Sequence, residues 1–274
     1  FILAKDGTPK ILEFNADTPT SLLEASVIQW QWKEDVFPEC DQFNGIHEGL
    51  VQSWKDIFPK KGEIHFAGAL ENNEDTGTLQ YLASTAMEAG FSTRVLDMQA
   101  LDLQNGRFFD PAGELVNRCF KLYPWEWMVD ESPDGCLAEM EWLEPIWKLV
   151  MSNKAILATL YELFPDSPYV LPCYLSRPRS GLFCKKPIFS REGHNVSVVD
   201  IRDWEEYVRI AETEGDYNTG AYVYQEYVEP TAYSGRYPVI GSWIIGGEAA
   251  GIGIRENRME VTDNLSEFVP HIIG

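Results

Sequence analysis

Two spacings of apolar residues divide this chain into elements. Ile11, Leu12 and Phe14 flank Glu13, and Asn15 and Asp17 follow at steps of two. Alternation of that kind predicts a strand with Glu13, Asn15 and Asp17 on one face. The run Thr18-Pro-Thr-Ser21 then ends it in a hydroxyl-rich turn. From Ser21 to Phe37 the spacing becomes helical, with Leu23, Val27 and Trp30 in register and Leu22, Ala25 and Ile28 beside them. Phe43 to Phe58 reads as a second helix. Gly62 to Gly68 is a short apolar run typical of a buried strand. Thr76 to Gly90 carries Leu79, Tyr81, Leu82, Met87 and Ala89, a helix with Gly90 as its stop, and Ser92 to Leu96 is the next strand. Strand, helix, strand in that order predicts a small parallel-sheet lobe over residues of about 60 to 130.

Farther along, Trp142 to Phe164 is strongly helical in pattern, with a break near Ser152-Asn153. Beyond Tyr169 the texture changes to short strand-like runs between turns. They are Gly181 to Ile188, Val196 to Val199, Gly220 to Val228, Tyr237 to Ile245 and Glu248 to Arg255, with one predicted helix from Asp203 to Glu214. No internal repeat is visible. A sheet-rich lobe therefore follows the βαβ lobe.

Composition narrows the function. Among 274 residues, 43 are acidic and 22 basic, a formal net charge of -21, which argues against nucleic acid or an anionic membrane as the main partner. The same field would steer a cationic substrate, although an ordinary acidic surface has the same look. No apolar run approaches the roughly 20 residues that cross a bilayer. Five scattered cysteines without a C-x-x-C pair suggest neither a disulfide framework nor a zinc site and fit a reducing cytoplasm. The chain opens at Phe1 without an initiator Met, so the absence of a signal sequence carries little weight.

Several stretches offer chemistry. Glu13, Asn15 and Asp17 form an all-oxygen surface of the type Mg2+ prefers, or simply a wet strand face. Leu70 to Thr76 is acidic at the carboxyl end of a strand, where it can bind a ligand or merely offset the dipole of the helix it precedes. Lys185 to Val196 is strand, Gly-containing turn, strand; its backbone N–H groups can cradle phosphate, although it is no Walker loop and a plain hairpin explains it too. Tyr224-Gln-Glu-Tyr-Val228 has the alternation of a strand that can border an adenine edge. The glycines from Gly246 to Gly253 open no helix, so they read as a hairpin that delivers Arg255. A forked, always-charged guanidinium there suits a transferring phosphoryl group, or an ordinary surface ion pair.

Taken in order, Leu12-Glu-Phe-Asn-Ala-Asp17, Asn153-Lys-Ala-Ile-Leu157, Lys186-Pro-Ile-Phe-Ser-Arg-Glu-Gly193, Tyr224-Gln-Glu226 and Gly253-Ile-Arg255 resemble the synthetase domain of glutathionylspermidine synthase, and most of all its short bacterial relatives without an amidase domain. The resemblance covers nearly the whole chain. It implies an α/β ATP-grasp fold with a preceding βαβ lobe, laid out like glutathione synthetase. Residues 1–40 would contribute to the ATP-grasp core, 41–145 would be the preceding lobe, and 146–274 the nucleotide-binding lobes. The resemblance also implies ATP-dependent ligation of a carboxylate, such as that of glutathione, to an amine such as spermidine.

Carried over by position, the resemblance makes Glu13 and Asn15 the Mg2+ ligands and Lys154 and Lys186 the nucleotide lysines. Ser190, Arg191, Glu192 and Gly193 would cover the phosphates, and Gln225, Glu226 and Tyr227 would border adenine. Arg255 would sit at the reacting carboxyl group. Thr18 and Thr20, supported by Asp17, fall near the peptide substrate, and Glu74 and Asp75 near the amine or peptide. The pattern also implies a further Asp ligand and an Arg just upstream of Phe1, as expected if the chain is truncated. The loop sequence Ser-Arg-Glu-Gly departs from the bifunctional synthase, which leaves the substrate pair open. A ligase for another peptide and amine, or a non-catalytic ATP- or polyamine-binding relative, stays compatible with the same residues.

Overall fold

The computed structural model describes residues 1–191, 193–203, 206–215, 217, 220–258 and 266–274. These form two compact units. The first comprises Phe1–Phe14, Val150–Gly241 and Ile254–Val269; the second comprises Asn15–Leu149, Ser242–Gly253 and Pro270–Gly274. The expected segment 1–40 is thus divided between them.

The first unit is built on a five-stranded antiparallel sheet in the order Cys173–Tyr174, Tyr222–Glu226, Gly181–Pro187, Ser197–Ile201, Tyr207–Glu212. The helix Ile156–Leu163 supplies Leu157 and Ala158 to its core, where they pack on Cys173 and Val223 with Ile11 and Ile188 alongside. Two expectations fail in this unit. The stretch from Ile11 forms no strand, because its backbone is claimed by side chains: Ile11 and Leu12 give their carbonyls to Gln225 and Lys186, leaving no ladder to join. The predicted helix from Asp203 to Glu214 contains instead the exposed edge strand Tyr207–Glu212. Tyr207, Val208 and Ile210 favour a pleated surface, and the strand Ser197–Ile201 offers an open edge to pair with.

In the second unit a parallel sheet runs in the order Ser92–Asp97, Glu63–Gly68, Arg118–Leu122, Glu141–Leu143. The helix Asn73–Glu88 makes the crossover, and Gly90 closes it at φ +93°, as its place after the last apolar residue predicted. Trp54, from the helix Ile46–Ile57, packs edge-on against Phe66 and Phe120 of the sheet. Here too the pattern misleads in places. Trp142 lies in the strand Glu141–Leu143, and the helices Lys148–Ser152 and Ile156–Leu163 begin only later. The helical stretch after Ser21 forms as a π-helical turn, Glu24–Ile28, running into the α-helix Gln29–Val36. However, it buries Leu22, Ala25, Gln29 and Lys33 and leaves Val27, Ile28 and Trp30 about half exposed. Gln29 can be interior because its amide donates to the Ala25 and Ile252 carbonyls and its oxygen meets His271 Nδ1.

The strands Tyr237–Ile245 and Glu248–Asn257 form a hairpin as predicted, turning through Gly246 and Gly247 at φ +61° and +91°, the left-handed region that favours glycine. The last strand, Glu267–Val269, pairs with the second arm and sets Arg255 opposite Phe268.

Candidate nucleotide site

In the first unit two buried lysines converge with one carboxylate. Lys186 lies on the strand Gly181–Pro187, paired with Val223, and is 7% exposed. Its ammonium donates to the Leu12 carbonyl at 3.0 Å and to Gln225 Oε1 at 2.7 Å, while Gln225 Nε2 donates to the Ile11 carbonyl at 2.8 Å. An ammonium has three N–H donors, so one remains for a ligand oxygen. Lys154, 8% exposed at the break before the helix Ile156–Leu163, donates to the Ser190 carbonyl and stands 3.3 Å from Glu13 Oε2. Its own backbone N–H donates to the Ile188 carbonyl, which ties the helix break to the loop carrying Ser190.

Charge is unbalanced in this cluster. Burial is the largest influence on Lys186 and pushes its pKa below the ordinary lysine value, with Lys154 adding to the fall while Cys184 and Glu13 oppose it. Crowding by protein atoms would by itself raise the Glu13 carboxyl. Lys154 and Lys186 together outweigh it and hold Glu13 below its ordinary value, with nearly half of its side chain open to solvent. Among the described residues, two ammoniums against one carboxylate leave a net positive, largely desolvated spot that an anion such as a polyphosphate would neutralise.

The other residues expected at the nucleotide differ in burial and in their hydrogen bonds. Ser190 is buried, its hydroxyl donating to the Pro187 carbonyl at 3.2 Å. Arg191 and Gly193 follow in the same turn, half-buried, and Glu192 lies outside the described residues. Gln225 is 1% exposed with both ends of its amide engaged, so it holds Lys186 in place and presents no free amide. The N–H groups of Glu226 and Tyr227 go to the Pro172 and Leu182 carbonyls. Arg255 is half-buried on the hairpin.

In the second unit the expectation of a wet face needs correction at Asp17. Its side chain is 1% exposed and pairs with Lys121 Nζ, and its other oxygen accepts the Trp125 N–H at 2.8 Å. Lys121 is fully buried, also donates to the Tyr123 carbonyl at 2.9 Å, and sits 4.4 Å from the centre of the Trp125 ring. Lys121 is absent from the residues expected to matter. The available signal was Lys121 between the apolar Phe120 and Leu122 in the strand Arg118–Leu122, a charge that has to be paired if buried. Thr18 is half-buried and Thr20 exposed beyond this anchor, and Asn15 is exposed. Asn72 caps the helix Asn73–Glu88 by accepting the Glu74 N–H at 2.9 Å, which places Glu74 and Asp75 in its first turn, where carboxylates offset the helix dipole.

The profile of the family described as glutathionylspermidine synthase preATP-grasp matches residues 1–274. A Haemophilus influenzae protein named "Putative acid--amine ligase" is 38% identical over 96% of this chain and 70% of its own length. The bifunctional glutathionylspermidine synthetase/amidase of Escherichia coli is 26% identical over 96% of this chain, which spans only 47% of that protein. Among solved structures, a glutathione synthetase like-effector from Globodera pallida aligns over 100% of this chain and 74% of its own, with a TM-score of 0.58 at 10% identity. That likeness bears on the fold alone, and the fold it supports is the glutathione synthetase-like one expected from the sequence.

Proposed function

We propose that this chain, which belongs to the glutathionylspermidine synthase family, is an ATP-dependent acid–amine ligase that joins a peptide carboxylate such as that of glutathione to a polyamine such as spermidine. The observation that carries the reading is the pair of buried ammoniums, Lys154 and Lys186, facing one carboxylate, Glu13, among the described residues. A buried, under-neutralised cationic pair costs stability in the free protein and is accounted for by an anionic ligand that completes it.

Lys186 and Lys154 hold the ATP phosphates and keep charge from building up on the γ-phosphoryl group as it transfers. Gln225 fixes Lys186. Ser190, Arg191, Glu192 and Gly193 cover the phosphates, and the segment from Gln225 through Glu226 to Tyr227 borders adenine. The donor set also suits Mg2+, since Glu13 is held ionised and Asn15 is exposed, a pair of hard oxygen ligands that leaves the other positions to water and phosphate. When bound, Mg2+ would supply neutralisation of phosphate charge.

One oxygen of the substrate carboxylate attacks the γ-phosphorus. The bond to the bridging oxygen breaks, and ADP leaves with those electrons. Arg255 orients the carboxylate and stabilises the resulting acyl phosphate. The amine, unprotonated at its attacking nitrogen, then adds to the acyl carbon. Inorganic phosphate departs, one proton is released, and an amide remains. Thr18 and Thr20 bind the peptide, held by the Asp17 anchor, and Glu74 and Asp75 attract the cationic amine. Positioning and electrostatics supply most of the acceleration in phosphoryl transfer.

The test is ADP release by the full-length protein with panels of thiol peptides and polyamines. Release should require both an acid and an amine, and Lys186→Ala or Glu13→Ala should abolish it while the circular dichroism spectrum is kept. Full activity in either variant refutes the site; tight ATP binding with no productive pair refutes the ligase reading.

A further inference from the structure

The opposite face of the same antiparallel sheet carries a second set of cations. Paired residues on neighbouring antiparallel strands project to one side, so Lys185 with Tyr224 faces away from Lys186 with Val223. Tyr222 and Tyr224 on that face, together with Arg177, Leu175 and Ile188 from beyond the strand ends, line a cleft of about 310 Å³, and a smaller hollow beside it is lined by Arg177, Tyr224, Lys185 and Tyr207. Arg177 and Tyr224 are common to both.

Arg94, Arg107, Arg118, Arg202, Arg209 and Arg236 each meet a carboxylate within 4.0 Å, as expected in a chain with 43 acidic residues. Among the described residues, Arg177 and Lys185 meet none, which is also true of Arg179, Lys10, Lys55, Lys60, Lys61 and Lys186; what sets Arg177 and Lys185 apart is that both line the same hollow. Lys185 Nζ lies 3.8 Å from the centre of the Tyr222 ring, and the Arg177 guanidinium lies 5.0 Å from that of Tyr207, its Nη2 donating to the Asp203 carbonyl at 2.9 Å. Among the described residues, buried Arg177 Nε has no partner. A buried guanidinium N–H left unmade costs free energy that a bound acceptor would recover. Burial pushes the Tyr224 phenol up although Arg177 opposes it, so its hydroxyl is present as a donor at neutral pH.

From this arrangement we infer that the cleft is a second ligand site, distinct from the nucleotide cluster, that takes a small oxyanion (phosphate or carboxylate) borne on a flat or apolar body. Arg177 is the fork for two anionic oxygens, Lys185 the second charge, and Tyr222 with Leu175 and Ile188 the wall for the body. The inference does not depend on the ligase reading.

Isothermal titration at constant ionic strength, with inorganic phosphate and with citrate as probes, separates the possibilities. At least one probe should bind at a single site with millimolar or better affinity, and that binding should persist in Lys186→Ala. It should weaken at least tenfold in Arg177→Met and several-fold in Tyr224→Phe, a variant that keeps the ring and therefore the packing. A preference for phosphate or for citrate assigns the ligand to phosphoesters or to carboxylates. Binding lost in Lys186→Ala and retained in Arg177→Met would place the anion in the nucleotide cluster and overturn the inference. Absence of binding by both probes would overturn it equally.

Discussion

Replacing Asp17 with asparagine probes the buried anchor with a predictable pH signature. The amide side chain keeps an oxygen for the Trp125 N–H, which lies 2.8 Å from the native carboxylate, but it removes the counter-charge of Lys121. Burial already lowers the Lys121 pKa, opposed chiefly by Asp17, so removing the Asp17 charge should lower it further. The unfolded chain holds that proton up to an ordinary lysine pKa of about 10.4, so folding at lower pH has to expel it. The linked penalty changes by at most about 1.4 kcal/mol per pH unit below that value. It should therefore shrink between pH 7 and pH 9, by at most about 3 kcal/mol. Lys121→Met, by contrast, strands the carboxylate and should cost about 3 to 5 kcal/mol at pH 7, with the double variant recovering part of that loss. Urea unfolding followed by Trp fluorescence at the two pH values measures these differences. A penalty for Asp17→Asn that is flat or grows with pH, or that is under about 1 kcal/mol at pH 7, would refute the reasoning.

Three further outcomes follow from named contacts. Burial pushes the Cys119 thiol to about 12 and the Cys173 thiol to about 11, so a thiol reagent at pH 8 should leave both unmodified in the native protein and reach them on unfolding, as read by mass spectrometry. Because the Lys186 pKa is depressed, ATP affinity measured by titration calorimetry should fall on the alkaline side at a pH below the ordinary lysine range, and Lys186→Arg, which stays charged, should lose that limb. At Gly68 an added Cβ would meet Leu79 Cδ1 at 2.9 Å and the Leu122 carbonyl oxygen at 3.0 Å, so Gly68→Ala should destabilise by about 1 to 3 kcal/mol in urea unfolding.

The parts of the fold legible in the sequence are those where local period and tertiary burial agree. Glu63–Gly68, Asn73–Glu88 and Ser92–Asp97 are a βαβ unit whose apolar residues face the core their spacing predicts. Where long-range partners decide, local pattern fails. Gln29 is interior because Ile252 and His271 satisfy it, and both lie more than 200 residues away, so the apolar stripe of Val27 and Trp30 identified the helix but not its buried face. The stretch at Glu13 looked like a strand because its alternation is real, yet its carbonyls serve Lys186 and Gln225, contacts that no local window contains. Lys154 and Lys186 were legible as motif positions, but their convergence on Glu13, the role of Gln225 as a clamp, and the Lys121–Asp17 pair all depend on side chains distant in sequence.

An acyl phosphate is the intermediate on which the proposed chemistry depends, and one labelling experiment addresses it. Full-length protein is incubated with ATP, an amine and an acid substrate carrying 18O in its carboxylate, and the inorganic phosphate released is examined by 31P NMR. Attack of the carboxylate on the γ-phosphorus predicts phosphate containing one 18O, formed together with ADP in step with amide. Phosphate free of 18O, or label appearing in AMP, would contradict it.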